Sequence, residues 1–485
     1  MFFLSFFKNI VYNVFYVFEV VMNILLSKKI RNLKPDGQLP KTTSILNNIL
    51  KISIPAALEI FLIGLIGMFD TMMVGGLGDA AIAAVALTQQ PVFITLSASI
   101  GLNAGVIAII ARKRGQKDQE GANNYLRQSL VIGFMIGVVM SVLAIFLARP
   151  FLLLAGAKED TIDNSVLYFR IVSSILVLNY IRLVITSALR ACGNTKTTLV
   201  TNLTANIVNV FLNYCLIGGN LGFPALGIKG AAIATIVGNA VAFIISIFAI
   251  YNRKNQFLSI KLSDNWRLDK ESCGQIFRIS SNAFVEQLGM RVGFFISAKI
   301  VNSLGTEAVA INAIIQSIIS LSFNITDGFA IGASSLVGKS LGEKREELAF
   351  AYGRMSQILS FFLGSIMFIL VITARTWLVS LFSKEYTTIQ AASEMMLFAA
   401  FVIFPQSLQW VTTGILRGAG DTKYTARSSL ISVMIIRPAL SYTICYLLGF
   451  GLIGSWIGMF IDQIIRFLLN NIRFVNLKWI KIQIQ

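Results

Sequence analysis

Residues 190–196 read Arg-Ala-Cys-Gly-Asn-Thr-Lys, and residues 417–423 read Arg-Gly-Ala-Gly-Asp-Thr-Lys, so one heptapeptide pattern recurs after 227 residues. A second pair keeps the same offset, because Leu-Gly-Asp-Ala-Ala at 77–81 corresponds to Leu-Gly-Thr-Glu-Ala at 304–308. Chance does not maintain one register over such distances. The pattern indicates an internal duplication.

The composition indicates that both copies lie in a membrane. The 485 residues are 55% hydrophobic and only 13% charged, whereas soluble proteins carry about 25% charge. A bilayer-spanning helix needs roughly 20 apolar residues, and twelve stretches meet that length. They lie near residues 49–73, 81–110, 126–147, 165–189, 198–217, 230–251, 275–300, 308–337, 353–373, 390–414, 425–447 and 453–473. The predicted fold is an all-α integral membrane protein with twelve core transmembrane helices, six in each half.

The residue inventory excludes several classes of function. The chain has no histidine, which excludes His-dependent zinc sites and Ser-His-Asp triads. No paired catalytic motif is present, so we expect neither an enzyme nor a cofactor other than a coupling ion. Residues 333–340 (ASSLVGKS) resemble the end of a P-loop, but Ala333 replaces the required first glycine. The net charge is +18, but the Lys and Arg residues lie between apolar stretches and do not form a basic groove or helix face. This distribution does not indicate a nucleic-acid partner.

The distribution of Lys and Arg predicts the topology. Basic residues concentrate in the loops on one side, and the positive-inside rule therefore places both termini of the twelve-helix core in the cytoplasm. An even number of spans gives the two halves the same orientation, as in parallel-repeat transporters. The predicted division is 1–44 for an N-terminal apolar helix and basic segment, 45–251 for the first lobe, 252–272 for a cytoplasmic linker, 273–475 for the second lobe and 476–485 for a cytoplasmic tail. The N-terminal stretch is interrupted by polar residues, which favours an added interfacial or peripheral helix over a thirteenth core span.

Carboxylates inside the spans are candidates for function, because each costs about 2.5–3.5 kcal/mol at a helix centre. Five fall inside spans: Glu59, Asp70, Glu286, Asp327 and Asp462. Asp70 follows Glu59 by about three helical turns, so the two share a helix face. Asp462 is predicted to form a local ion pair with Arg466 and is left out of the site. For two of these carboxylates a structural role stays open as the alternative to a functional one. Glu286 could form a structural ion pair with Arg291, and Asp327 could also serve only in an ion pair.

Four amides form a stripe along the fifth span. Asn202, Asn206, Asn209 and Asn213 recur at spacings of four, three and four, which places them on one helix face. Such amides bind helices together at roughly 0.6 kcal/mol each, and for Asn202 and Asn206 this structural role and a functional role stay open. For Asn209 and Asn213 we favour a functional role over a purely structural one. The second half has Ser429, Val433, Ile436 and Leu440 at the matching positions.

Several motifs together resemble the multidrug and toxic compound extrusion (MATE) family of bacterial efflux transporters. They are Pro55, the Phe-Asp-Thr-Met-Met-Val-Gly segment at 69–75, the Arg-x-x-Gly-Asn-Thr-Lys segment at 190–196, and the Asn-x-x-x-Asn step at 209–213. The resemblance covers roughly residues 45–475. It implies a V-shaped, two-lobed bundle that alternates between inward and outward openings and expels mostly cationic, amphiphilic compounds in exchange for Na⁺ or H⁺.

The resemblance also implies roles for individual residues. Asp70 matches the family's first-span aspartate, a coupling-cation or proton site, and Asn209 and Asn213 match its partners, so these three are also a possible Na⁺ site. Some members have an aspartate at the position of Asn213, and its absence here leaves one carboxylate and puts coupling through a carboxylate pair in doubt. One branch has its glutamate where this chain has Met290, so Glu286 is a shifted candidate.

The expected substrate cavity comprises Glu59, Glu286, Gln287, Asp327 and Asn206. The expected protein is a monomeric antiporter of the bacterial plasma membrane, with small cationic substrates and the lipid bilayer as partners. An alternative is a flippase or exporter of lipid-linked saccharides, for which Arg182, Arg291, Lys299 and Arg437 could contact phosphate. A passive channel is a further alternative, although duplicated halves with buried carboxylates fit alternating access better.

Overall fold

The computed structural model describes residues 39–75, 77, 79–159, 161–251 and 256–482, and this part of the chain is almost entirely α-helical. The predicted N-terminal apolar helix lies outside the described residues. The helices are α1 Thr42–Gly75, α2 Asp79–Gly115, α3 Gln119–Phe146, α4 Ala148–Leu154, α5 Ile162–Ser173, α6 Leu176–Ala191, α7 Thr195–Gly218, α8 Ile228–Ile250, α9 Lys270–Asn302, α10 Thr306–Gly342, α11 Glu346–Ser380, α12 Tyr386–Ala399, α13 Ile403–Gly418, α14 Thr422–Ser429, α15 Arg437–Tyr442 and α16 Gly451–Val475.

All twelve predicted segments are helical, but their ability to cross a membrane differs. Within the described residues, ten helical segments are long and apolar enough to span a bilayer, and the bent pair α5 and α6 makes an eleventh. The remaining segment, α9, has 33 residues but is more polar than the others. Its buried face includes Ser280, Glu286 and Ser297, so these three polar side chains point into the protein.

The repeated heptapeptide forms a tight turn between two helices in each half. Gly193 and Gly420 adopt positive φ angles of 73° and 89°, which side chains other than glycine rarely accept. The threonine that follows then ties the new helix to the first helix of its half. Thr195 Oγ1 donates to a carbonyl oxygen of α1 at 3.0 Å, and Thr422 Oγ1 donates to a carbonyl oxygen of α9 at 3.0 Å.

Helices α1–α8 come from the first half and α9–α16 from the second. Between the halves, α1 packs along α10, and α2 packs along α9 and α10. The backbones approach closely there, since a side chain at Gly101 would meet the backbone of Phe284 at 2.8 Å. Large apolar side chains such as Phe146 and Phe277 are more than 70% exposed, as on a surface that faces lipid.

Candidate functional site: a polar group in the first half

Asp70 meets two of the predicted amides inside the first half. Asp70 lies on α1, and Asn209 and Asn213 lie one turn apart on α7, so both amides face the same side. Asn213 Nδ2 donates to Asp70 Oδ1 at 2.7 Å. Asn209, with its amide oriented so that both ends are satisfied, donates to the two Asp70 oxygens at 2.9 and 3.1 Å and accepts from the Thr235 backbone N–H at 3.2 Å. The structure thus brings together the three residues predicted to bind the coupling ion.

One oxygen of this group has no protein partner. Asn213 is only 2% exposed, and its Oδ1 is buried without a hydrogen bond in the described structure. Leaving a buried acceptor unpaired costs about 1–3 kcal/mol. Carboxylate and amide oxygens are hard ligands, so the single carboxylate of Asp70 and the unpaired oxygen of Asn213 suit a small hard cation or a proton. Among the described residues, no group of three or more His, Cys, Asp or Glu side chains is placed to hold a metal ion.

A cavity of about 340 Å³ adjoins Asp70. Its wall combines polar side chains with apolar ones, including Thr88, Gln89, Phe93, Tyr168, Asn213 and Thr235. Sequence reasoning missed Tyr168 and Thr235, because single residues on α5 and α8 carry no periodic signal. The cavity extends from the Asp70 group to Phe93.

Glu59 lies in a buried ion-pair network, not on an open cavity wall. Its Oε1 accepts hydrogen bonds from Arg190 Nη2 and Asn202 Nδ2, and its Oε2 accepts from Thr198 Oγ1 at 2.7 Å. The glutamate side chain is fully buried. Asn202 therefore has a structural role in this geometry, because its amide binds the buried Glu59 carboxylate.

The second half repeats this network at the matching positions. Arg417 Nη2 lies 3.0 Å from Glu286 Oε1, while Ser429 Oγ and Thr425 Oγ1 donate to the carboxylate at 2.7 and 3.2 Å. The alternative pair between Glu286 and Arg291 is wrong, because Arg417 occupies that role. Neither glutamate is open to solvent in this conformation, and contact with substrate stays a prediction for both.

Asp327 lies between the two networks. Its Oδ1 accepts a hydrogen bond from Trp410 Nε1 at 2.6 Å. The Trp410 ring packs against Phe323 at 4.8 Å and lies 5.3 Å from the Arg417 guanidinium. Arg190 and Arg417 are both close enough to interact electrostatically with Asp327. As a whole residue Asp327 is half-buried, whereas Glu59 and Glu286 are fully buried.

The structure leaves the other predicted residues apart from these groups. Asn206 is half-buried, and Gln287 is 7% exposed beside Glu286. In the described part of the chain, neither joins the Asp70 group. Asp462 forms the predicted ion pair with Arg466 at 2.9 Å, so that expectation is confirmed.

The helical architecture, with a polar cation-compatible group between membrane-length helices, defines the chain as a multi-pass membrane transporter. The family model MatE matches it twice, at residues 55–215 and 283–443. The chain therefore belongs to the MatE family, which confirms the resemblance drawn from its motifs, and it is an efflux transporter, not an enzyme.

Curated relatives match along nearly the whole chain. "Probable multidrug resistance protein NorM" of Thermotoga maritima is 27% identical over 455 residues, covering 93% of this chain and 96% of the relative. "Uncharacterized transporter YisQ" of Bacillus subtilis is 25% identical over 435 residues, covering 88% and 93%. A solved structure described as the outward-facing conformation of a multidrug resistance MATE family transporter of the MOP superfamily has a TM-score of 0.83, covering 91% and 100% at 21% identity.

Proposed function

We propose that the protein exports cationic, amphiphilic small molecules across the bacterial plasma membrane in exchange for Na⁺ or H⁺, by alternating access between its two halves. The single observation that carries the proposal is the Asp70 group, in which one half-buried carboxylate meets two amides and an unpaired oxygen. Such a group holds one small cation. Binding there neutralises Asp70, so it competes with the attraction of a cationic substrate into the adjoining cavity.

The substrate path includes Asp327 and Trp410 in this proposal. A carboxylate beside an indole ring suits a lipophilic cation, because the carboxylate supplies charge and the ring supplies an apolar, cation-attracting face. Glu59 and Glu286 hold the helices of each half together, and Glu59 contributes to the electrostatic field around Asp327. We place them in the frame of the cavity, where their contact with substrate is indirect.

The membrane topology is part of the same proposal. All twelve segments span the bilayer, including α9, whose polar face is covered by other helices. Both termini of the core then lie on the side that carries most of the basic loops, in the cytoplasm. The chain acts as a monomer, since the Asp70 group and its cavity are built from helices of one half.

Efflux from proteoliposomes tests the proposal. A fluorescent lipophilic cation is loaded, and either an Na⁺ gradient or a pH gradient is imposed. We expect export by the wild type under one gradient, which names the ion, and a fall of Asp70→Asn to the gradient-free rate. Asp163→Asn is the matched control, because Asp163 pairs with Arg149 and its side chain is 82% exposed. This variant should transport normally.

Two outcomes would overturn the assignment. Export by Asp70→Asn at the wild-type rate, with equal protein in the vesicles, would remove the coupling role from this residue. Absence of dye export under both gradients, combined with transfer of a lipid-linked saccharide, would support the flippase function instead.

A further inference from the structure

A second cavity, of about 520 Å³, lies on the second half beside the repeated turn at 417–423. Its wall comes from the first third of α9, the start of α14, the end of α16 and Ile482. It shares no lining residue with the cavity beside Asp70. Its volume falls in the range of about 300–1,000 Å³ that is typical of small-molecule sites. The cavity is therefore large enough for a ligand of its own.

The wall of this cavity carries an excess of positive charge. Three cationic side chains, Arg278, Lys423 and Arg473, line it together with one carboxylate, Asp421. Asp421 is buried and pairs with Arg473 at 2.7 Å. Arg278 and Lys423 are exposed, and in the described part of the chain neither lies within 4.0 Å of a carboxylate. These two charges remain available to an anionic ligand.

The third cation, Arg473, is held in one orientation. Its Nε donates to Asp421 Oδ2 at 2.7 Å, and its guanidinium group lies 5.0 Å from the centre of the Tyr424 ring. Neither of its Nη groups has a hydrogen-bond acceptor among the described residues. A guanidinium fixed at Nε and on one face keeps its remaining N–H edge for a phosphate or carboxylate. Arg473 is thus pre-organised for an anion.

The start of α14 at this cavity also favours an anion. In the first half, Asn194 caps the matching helix by accepting a hydrogen bond from the Thr197 backbone N–H at 3.4 Å. Asp421 stands at the position of Asn194, but it binds Arg473 and makes no capping hydrogen bond. The first N–H groups of α14 therefore lack a side-chain cap. Free N–H groups at a helix start attract negative charge.

An apolar side chain stands at the edge of the same cavity. Phe277 lines it and is 73% exposed, as on a surface that faces lipid. The cavity therefore lies where the lipid-facing surface meets the end of the bundle that carries the basic loops. A phospholipid places its phosphate at such a boundary and its acyl chains along the apolar side. A free phosphate would make no use of Phe277.

We propose that this cavity binds the phosphate headgroup of an anionic phospholipid. Arg278, Lys423 and the free edge of Arg473 contact the phosphate, and Phe277 packs against an acyl chain. Basic pockets between membrane helices on the cytoplasmic side bind such headgroups. The site lies outside the proposed export path, and its occupation does not depend on transport.

Lipid binding by the full-length protein in detergent tests the site. The probes are phosphatidylglycerol, which is anionic, and phosphatidylcholine with the same acyl chains, and native mass spectrometry counts the lipids bound. We expect the wild type to prefer phosphatidylglycerol by about tenfold or more, since each nearby cation contributes attraction. Arg278→Gln combined with Lys423→Gln should remove this preference and leave phosphatidylcholine binding unchanged. Both side chains are exposed, so the double variant should fold normally.

The matched control uses the first half. Lys51 and Lys196 are exposed and stand 227 residues before Arg278 and Lys423, but α8, the last helix of that half, contains no arginine. Lys51→Gln combined with Lys196→Gln removes the same charge and should keep the preference for phosphatidylglycerol. An equal loss of preference in this control would overturn the site, because total charge would then explain the binding.

Two further results would refute the proposal. Equal binding of both lipids by the wild type would show that the cavity does not recognise a negative headgroup. Equilibrium dialysis with millimolar radiolabelled inorganic phosphate should show no binding, and one phosphate per protein, lost in the Arg278 and Lys423 double variant, would assign the cavity to a soluble anion. No gradient or dye is used, so failure of the lipid site leaves the efflux function untouched.

Discussion

Each ion pair around Glu59 and Glu286 joins residues 131 positions apart, yet both networks have the same form. Inside a membrane, a carboxylate needs both a counter-charge and hydrogen-bond donors, because water is absent. Asn202 donates a hydrogen bond to Glu59, and Ser429, at the matching position, donates one to Glu286. The duplication therefore preserved the chemistry of the network, not its exact residues.

Neutralising either glutamate should destabilise the protein. Glu59→Gln or Glu286→Gln leaves a buried arginine uncompensated, which costs about 3–5 kcal/mol. The measurement is thermal unfolding in detergent. Asp163→Asn, which breaks the exposed pair with Arg149, is the control and should cost less than about 1 kcal/mol. If Glu286→Gln melted like the wild type but exported a different set of dyes, Glu286 would be a substrate-binding residue.

The Asp70 group could be predicted from sequence, whereas the partner of Glu286 could not. Asn209 and Asn213 share a helix face by spacing alone, and the resemblance supplied Asp70. Arg291 was considered because it is near Glu286 in the chain, but tertiary packing places Arg417 there instead. The recurrence of arginine at 190 and 417 was a usable signal, since both glutamates recur at the same offset.

At the scale of elements, helix α3 begins with a capped and charged turn. Asp118 accepts a hydrogen bond from the Gly121 backbone N–H at 2.8 Å and pairs with Lys113 at 2.6 Å. Lys113 lowers the pKa of the Asp118 carboxyl below its usual value. The ionised cap therefore contributes its full stability above the ordinary aspartate pKa of about 4, and that contribution is lost as the pH falls through the lowered folded value.

Asp118→Ala should lower the free energy of unfolding by about 1 kcal/mol at neutral pH, because it removes the cap. Asp118→Asn keeps a capping oxygen and should have a smaller effect. The difference between wild type and Asp118→Asn should shrink in acid, as followed by thermal unfolding at several pH values. A pH-independent difference would show that the charge of Asp118 does not stabilise this helix end.

Helix irregularities were beyond what hydropathy could predict. The fourth predicted span, 165–189, is bent by 51° between α5 and α6. Ser174 Oγ donates to the Ile171 carbonyl oxygen at 2.7 Å there, and such back-bonding bends helices. In the eleventh span, Pro438 cannot donate an N–H to the preceding turn, which accounts for the π-helical segment before it. Apolar length says nothing about either feature.

At the scale of the whole molecule, the two halves touch most closely near the ends that carry the basic loops. The backbones of Gly115 and Gly342 meet there, and a Cβ at Gly105 would lie 3.6 Å from the Cβ of Ser280. Towards the other end, Phe69 and Phe295 are more than half exposed. In the proposed topology the basic side faces the cytoplasm, so this contact would close the cytoplasmic side between the halves.

A disulfide across this contact should stop transport. Gly105→Cys with Ser280→Cys places the two Cβ atoms near the separation that a disulfide requires, in a background whose four cysteines are replaced by serine. Oxidation should abolish dye export, and reduction should restore it. Gly364→Cys with Ser407→Cys links two helices of one half and is the control. Full transport by the oxidised Gly105–Ser280 variant would contradict alternating access at this contact.

The two halves could be predicted from the 227-residue offset, and the family model matches once in each. The packing of α1 on α10 and of α2 on α9 and α10 could not, because glycine steps permit close contact without naming the partner helix. The boundaries of the lobes and of the cytoplasmic linker stay predictions.

The most direct test of coupled exchange uses a dye gradient to drive ion movement, in place of an ion gradient that drives dye export. Proteoliposomes with equal ion concentrations on both sides receive a gradient of the lipophilic dye, and Na⁺ and H⁺ movements are recorded. The account predicts that dye movement drives one of these ions in the opposite direction, and that Asp70→Asn abolishes the ion movement. Protein-dependent dye movement with no opposing ion flux in the wild type would contradict it.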